Sequence, residues 1–441
     1  MKTINSLIII SISATVLAQT QPAEHPSIHS GTNILQLTPS LINDLADEMR
    51  QRNPALLAVR ARTNAAAAGV SAIRSWEDPT ARVGGVVARE EFRASDGDLV
   101  YGVDQKLPLF GKPKLVRRVA QADLAAETAQ EVYQFQLLKR ELAKAAFRTA
   151  LADELILLGA QDLTWLQTIA QTVERKYAAG QATLLEVSQA ENEQAKRATQ
   201  LHTDHDNLEH ERVTLNRLLN RDLHSNWQVL TLPPLAGPVV YNEKLVAFAL
   251  RNEPRIKVLR QQINRAEAEV DLTRRKRLPD VSVGLEARNY TGNGSFRQGA
   301  VMFSMGLPWF NSSRYRSEVT RDQAKLTAAE LDLTDYQLSV REEVHHLAVK
   351  IDAARREALL YRDEIIPRNE SALESVRSGW ESNRSSFRDL LEARRMWLDG
   401  RLMYARALAE QYQMLSELVL CCGLGDLGAL QMIDALPEEL K

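Results

Sequence analysis

His202, His205 and His210, interleaved with Asp204 and Asp206, are the residues of this chain whose types and spacing invite metal chemistry, because histidines three apart on a helix share a ligand face. Their surroundings are dense in charge and lack a third well-placed ligand, so the run reads as a solvated helix face. His345-His346 reads the same way. Asp389 and Glu392, also three apart, lie on one side of a helix. Taken alone, acids so placed read as solvated residues at a helix start, where the dipole favours them. Gly111-Lys112 lacks the upstream glycine and downstream Ser/Thr of a phosphate loop, and neither HExxH nor GxSxG occurs. No catalytic constellation, resident metal or cofactor is implied, so the chain is expected not to be an enzyme and to draw any energy from a partner.

Composition narrows the partners. The 441 residues carry a formal charge of -2, with a quarter of them charged. A sequence pI near 6.5 is far from a nucleic-acid footprint. The start has the form of an export signal: Lys2, an apolar run from Leu7 to Leu17, and Val16 and Ala18 before a cleavage point, which gives a signal peptide over residues 1–18. That run is too short for a permanent membrane helix, and no cysteine follows it to carry a lipid. Residues 19–37, polar and without periodicity, read as a linker. The two cysteines, Cys421 and Cys422, are adjacent and do not easily reach disulfide geometry, so packing must hold the chain together.

The elements that would position these residues occur twice. LPLFGKPKLVRRVAQADLAAE from Leu107 is echoed by LPWFNSSRYRSEVTRDQAKLTAAE from Leu307, and Asn53-Pro54, Pro79 and Val83 are answered by Asn252 to Pro254, Pro279 and Val283. A period near 200 is far longer than a solenoid repeat. The expected division is a first copy over 38–231, a Pro-rich linker over 232–238, a second copy over 239–430 and a tail over 431–441.

Each copy opens with a helical stretch, the first from Leu41 to Ser75, and continues into a pair of strands. These are expected over Arg82–Glu91 and Leu99–Leu107 in the first copy. In the second, Val281, Val283, Leu285 and Ala287 share one face, and Val301, Phe303, Met305 and Leu307 repeat the alternation. Ten residues with one apolar face suit either a tilted transmembrane β-strand or a soluble hairpin packed on helices. After each hairpin comes a helix of unusual length. Lys112 to Ala178 has no proline after Pro113 and spans roughly 100 Å at 1.5 Å per residue. Ser313 to Ser378 carries a seam of Leu326, Ala329, Leu333, Tyr336, Val340, Val344, Leu347, Ile351, Ala354, Ala358, Tyr361 and Ile365 at steps of three and four. Gly159 and Pro367 are expected to weaken or kink these rods. Turns follow at Tyr177–Glu186 and Trp380–Asp389, with Gly180 and Asn383 able to take positive φ. Returning helices run from Leu184 to about Asn220 and from Phe387 to about Cys422.

Four membrane strands cannot close a barrel, and an open edge is not tolerated in lipid. Eight strands from two chains would be filled by side chains, whereas twelve from three leave a lumen. The duplicated pattern, LPLFGK at Leu107–Lys112, and the tip signature of Tyr177, Gly180 and Leu184-Leu185-Glu186 together resemble the outer-membrane efflux factor family, the TolC-like channels, over nearly the whole mature chain.

The resemblance implies a mostly α fold with transmembrane β: a homotrimer with a 12-stranded β-barrel, four strands per chain, continued by a periplasmic coiled-coil barrel. It further implies a periplasmic adaptor and an inner-membrane pump as partners, with the barrel in outer-membrane lipid. Aligning the tips puts Asp389 and Glu392 at the periplasmic gate as carboxylate rings. Glu186 and Arg384, at matching turns, would pair to hold the entrance shut. Gly180, Leu184, Asn383 and Phe387 form the expected adaptor-docking tip, although the second tip departs from the family's usual one, with Asn383 in place of a glycine and Trp380 in place of the first copy's Tyr177. The function implied is a passive exit duct for small molecules or metal cations. The alternatives are the outer channel of a type I protein secretion system and a poreless periplasmic scaffold or adaptor.

Overall fold

The computed structural model describes residues 34–86, 98–290, 294–425 and 427–428. The expected signal peptide, most of the linker after it and the C-terminal tail lie outside them. Ile34–Gln36 (β1), within the stretch read as linker, pairs in parallel with Val229–Thr231 (β4).

Helices Pro39–Arg52 (α1) and Pro54–Ala72 (α2) come first; the stretch expected as one helix is two. Asn53 divides them because the following proline begins a new helix, and its side chain caps Ala55 N at 2.9 Å. Its amide also donates to Leu218 O at 2.8 Å, which fixes the joint to the core. The second copy repeats the joint between Glu243–Asn252 (α5) and Pro254–Lys276 (α6). There Glu253, 2% exposed, accepts from Ile256 N at 2.6 Å and from the Tyr336 hydroxyl at 3.0 Å. Burial raises its pKa more than these bonds lower it.

Thr80–Val86 (β2), Asp98–Lys106 (β3), Val281–Tyr290 (β5) and Phe296–Met305 (β6) form one antiparallel sheet in the order β2-β3-β5-β6, so the two hairpins join at β3 and β5. The register sorts the side chains by face. Val83 stands opposite Tyr101, Val103 opposite Leu285, Leu285 opposite Val301, and Val283 opposite Phe303. This apolar face is bare: Val83 is 79% exposed and Phe303 76%. On the other face Arg82 meets Asp104 at 2.6 Å and Arg288 meets Glu286 at 3.0 Å. A Cβ at Gly284 would collide with the Asp104 carboxylate, so glycine there lets that pair lie against the strands. The expected strand to Glu91 runs past Val86 into residues outside the described set.

Lys112–Ala178 (α3) is one helix of 67 residues, as its sequence predicts, and it packs on α2, α6, Leu184–Leu219 (α4) and Phe387–Cys421 (α9). Gly159 does not interrupt or kink it. The missing side chain admits α4, since a Cβ would lie 3.3 Å from Leu201 Cδ1. The second rod runs as Ser312–Leu360 (α7), a π turn at Tyr361–Ile365, and Ile366–Glu381 (α8), with Pro367 in the first turn of α8. Its predicted seam is the packed side: Val340, Val344, Leu347, Ile351, Ala354 and Ala358 are buried. Among the described residues, no helix is long and apolar enough to cross a membrane.

Candidate functional site

The rods end in two turns of the same construction. After α3, Gly180 N donates to Tyr177 O at 2.9 Å and Gln181 N to Lys176 O at 2.7 Å; after α8, Asn383 N donates to Trp380 O at 3.1 Å and Arg384 N to Gly379 O at 2.7 Å. Each is a Schellman closure, which needs a left-handed residue, and Gly180 (φ 71°) and Asn383 (φ 59°) supply it. The returning helices then start with matching capping boxes. Thr183 N donates to Glu186 Oε2 at 2.7 Å, and Ser386 N to Asp389 Oδ2 at 3.1 Å. In return, Thr183 Oγ1 and Ser386 Oγ accept from Glu186 N and Asp389 N at 3.3 and 3.2 Å.

These caps decide what the acidic residues can do. Asp389 is exposed, and the Ser386 hydroxyl and backbone N–H hold its carboxyl below the usual carboxylate range, so it is an anion at neutral pH. Glu392, one turn on, is exposed, with Arg395 Nη1 at 3.7 Å. The expected Glu186–Arg384 pair is not formed within the chain. Glu186 is engaged by its own cap, and Arg384 Nε donates to Ser382 Oγ at 3.0 Å. A cap three residues away orders fewer rotamers than a bridge between two loops.

Of the residues expected to dock a partner, Leu184 is 62% exposed, and Gly180 and Asn383 are open. Phe387 is a correction. It is 1% exposed, packed with Trp380, Leu166, Ile169, Val173 and Leu390 in a core that ties both turns together. An aromatic ring at the first turn of α9 removes more apolar area from water there than Leu184 does at the matching place, and the fold uses it inside.

Above this core lies a charged hub that sequence reasoning missed. Asp162 of α3, 3% exposed, accepts from Arg197 Nε of α4 at 2.9 Å and Arg394 Nε of α9 at 2.8 Å. The Arg394 guanidinium lies 4.8 Å from the Trp165 ring centroid and 4.3 Å from that of Trp397. Glu193 adds a second bridge, to Lys196 at 3.0 Å and Arg395 at 2.6 Å. Burial pushes its pKa up, and those hydrogen bonds outweigh it to leave the carboxyl lowered. The available signal was Asp162 itself, a carboxylate four residues from each of the buried Leu158 and Leu166. The histidines of α4 are all exposed, and among the described residues no group of His, Cys, Asp or Glu is arranged to hold a metal ion.

Comparison with known proteins places this geometry. The sequence profile of the outer membrane efflux protein family matches residues 45–221 and again 245–424. The cobalt-zinc-cadmium resistance protein CzcC of Cupriavidus metallidurans is 22% identical over 299 residues, 66% of this chain and 70% of that protein. Among solved structures, the outer-membrane channel OprN superposes with a TM-score of 0.76 at 20% identity, over 88% of this chain and 90% of that one. VceC of Vibrio cholerae does so with 0.74 at 19%, over 88% and 97%. The chain belongs to the outer membrane efflux protein family and has the fold of its TolC-like channels.

Proposed function

We propose that three copies of this chain form the outer-membrane channel of a tripartite efflux pump. In this reading three sheets close a twelve-stranded barrel, and the helices continue it as a periplasmic tube of roughly 100 Å. The duct is passive, driven by an inner-membrane pump through a periplasmic adaptor. What carries the reading is the sheet: an exposed apolar face backed by a polar one, with β2 and β6 as outer strands that lipid does not tolerate unpaired. The likeness to CzcC favours divalent metal cations among the possible cargoes.

Asp389 and Glu392 would then form carboxylate rings at the periplasmic entrance, and Gly180, Leu184 and Asn383 a docking surface for the adaptor. Residues 1–18 would be removed on export. Cell fractionation tests the whole: the mature chain is expected in detergent extracts of the outer membrane as a heat-modifiable trimer, and deletion is expected to sensitise cells to cobalt, zinc or cadmium. A monomer in the soluble periplasm would end this reading. In planar bilayers, Asp389→Ala with Glu392→Ala is expected to lower cation preference; unchanged selectivity would return both residues to ordinary solvated positions.

A further inference from the structure

Where the sheet meets the rods, positive charge collects without matching acids. The last turn of α6 is Arg274, Arg275 and Lys276, followed by Arg277, and all four are exposed. Arg274 and Arg277 face the start of α7 across an open groove of about 600 Å³, with Trp309, Tyr315 and Arg316 on the opposite wall. Among the described residues no carboxylate lies within ion-pair distance of Arg277 or Arg316. Arg274 has only Asp271, at 3.9 Å, and Arg118 holds that carboxylate at 3.0 Å. Of the acids near the foot of the sheet, Asp280 is held by Lys112 at 2.8 Å, Glu77 by Lys106 at 2.8 Å and Glu318 by Arg314 at 3.0 Å.

Cations in a last helical turn are favoured by the dipole, which accounts for part of the α6 run. It does not account for Arg316, which stands in the second turn of α7, or for the aromatic wall. Trp309 is 53% exposed and Phe310 beside it 78%, four to five residues beyond the last apolar position of β6, Met305. Bare aromatics that border an apolar sheet face are where a barrel passes from hydrocarbon to headgroups, and a basic groove at that level meets lipid phosphates.

The geometry points to an anionic phospholipid headgroup site at the periplasmic rim of the barrel, with Arg274, Arg277 and Arg316 on the phosphate and Trp309 at the headgroup–acyl boundary. It rests on the proposal that the sheet lies in the outer membrane. The occupant is a lipid of the inner leaflet, because this end of the sheet leads into helices none of which, among the described residues, is long and apolar enough to cross a membrane.

The test uses the full-length trimer in phosphatidylethanolamine nanodiscs, titrated with dioleoylphosphatidylglycerol and read by native mass spectrometry. Arg274→Ala, Arg277→Ala and Arg316→Ala together are expected to weaken phosphatidylglycerol retention roughly a hundredfold, at about fivefold for each cation. The heat-modifiable trimer should remain. Quenching of Trp fluorescence by brominated phosphatidylglycerol should fall in Trp309→Phe. Unchanged retention in the triple variant overturns the site. So does equal protection by inorganic phosphate, which would mean a free-anion site. Loss of the trimer in the triple variant would mean that a neighbouring subunit covers the groove, and loss of adaptor binding with retention intact would mean a protein surface; either also overturns it. A wild-type chain absent from the outer membrane would instead defeat the channel reading, which fractionation reports separately.

Discussion

The two long rods begin alike and end alike, yet only one is an unbroken α-helix. Phe310 stands 200 residues after Phe110, whereas Asn383 stands 203 after Gly180, so the second rod holds three extra residues between hairpin and tip. Three residues are not a whole turn. An α-helix that absorbed them would rotate its buried seam away from its partners, a local mismatch of the kind a stammer introduces. The π turn at Tyr361–Ile365 falls within that interval and ends two residues before Pro367, whose ring nitrogen cannot donate. Glycines mark the same difference. In the first copy Gly159 sits in the long rod against Leu201, and in the second Gly400 sits in the returning helix, with a prospective Cβ 3.4 Å from Ile366 beside the π turn. Two copies of one plan therefore solve helix contact differently: one by a continuous rod, the other by a locally widened rod and a close-approaching partner.

The strongest way to break the comparison is to cut what joins the two copies. Asp162→Ala leaves Arg394, whose side chain is 11% exposed, without its carboxylate, and is expected to destabilise the tip by about 3–5 kcal/mol. Tryptophan fluorescence during urea unfolding reports it locally, since Trp165 and Trp397 flank Arg394. An unchanged midpoint would mean that the hub is not what holds α9 to α3. Phe387→Ala opens a cavity at the core between the turns, for a similar expected loss of about 3–5 kcal/mol. Leu184→Ala, at the matching place in the first turn, is expected to stay within about 0.5 kcal/mol. Equal effects would erase the asymmetry between the turns.

The glycines give a smaller effect that sharpens the contrast. Gly400→Ala meets Ile366 and Asn369 at ordinary contact distance, so the gain in helix propensity should survive as about 0.5–1 kcal/mol of added stability. At Gly159 the same gain opposes a 3.3 Å contact with the end of Leu201, and a net change near zero is expected. A reversed order in denaturation midpoints would place the tighter helix contact in the second copy.

Most of this plan was legible in the chain, because period carries it. The alternation around Val283 and Phe303, the seam from Val340 to Ala358 and the turn residues Gly180 and Asn383 are local patterns; packing buries the seam, while the apolar face of the sheet stays bare. The site was less legible because its decisive contacts are not local. Asp162 meets Arg394 across 232 positions. Phe387 and Leu184 occupy equivalent places at a helix start, and only the assembled core, with Trp380 on one side and Val173 on the other, shows which is inside. Glu186 and Arg384 carried the right charges for a pair, but a cap formed within three residues engaged Glu186 first.

The smallest expected effect separates the copies by pH. Asp322 of α7 accepts from Thr273 of α6 at 2.8 Å and from Arg321 Nε at 2.7 Å, where the first copy has the apolar Ala122 and Ile73 at the positions 200 earlier. Hydrogen bonding to Arg321, helped by Thr273, lowers the Asp322 pKa from 3.8 to about 2 against the opposing pull of burial. A carboxyl depressed by folding stabilises the native state above its unfolded pKa and loses that contribution as pH falls through the native one. Asp322→Asn is therefore expected to cost at most about 1 kcal/mol near neutrality, because Arg321 and Lys325 are themselves exposed. The difference from wild type should hold down to about pH 4 and fade between there and pH 2. A gap that persists at pH 2 would assign the effect to packing against Thr273 instead of to the charge.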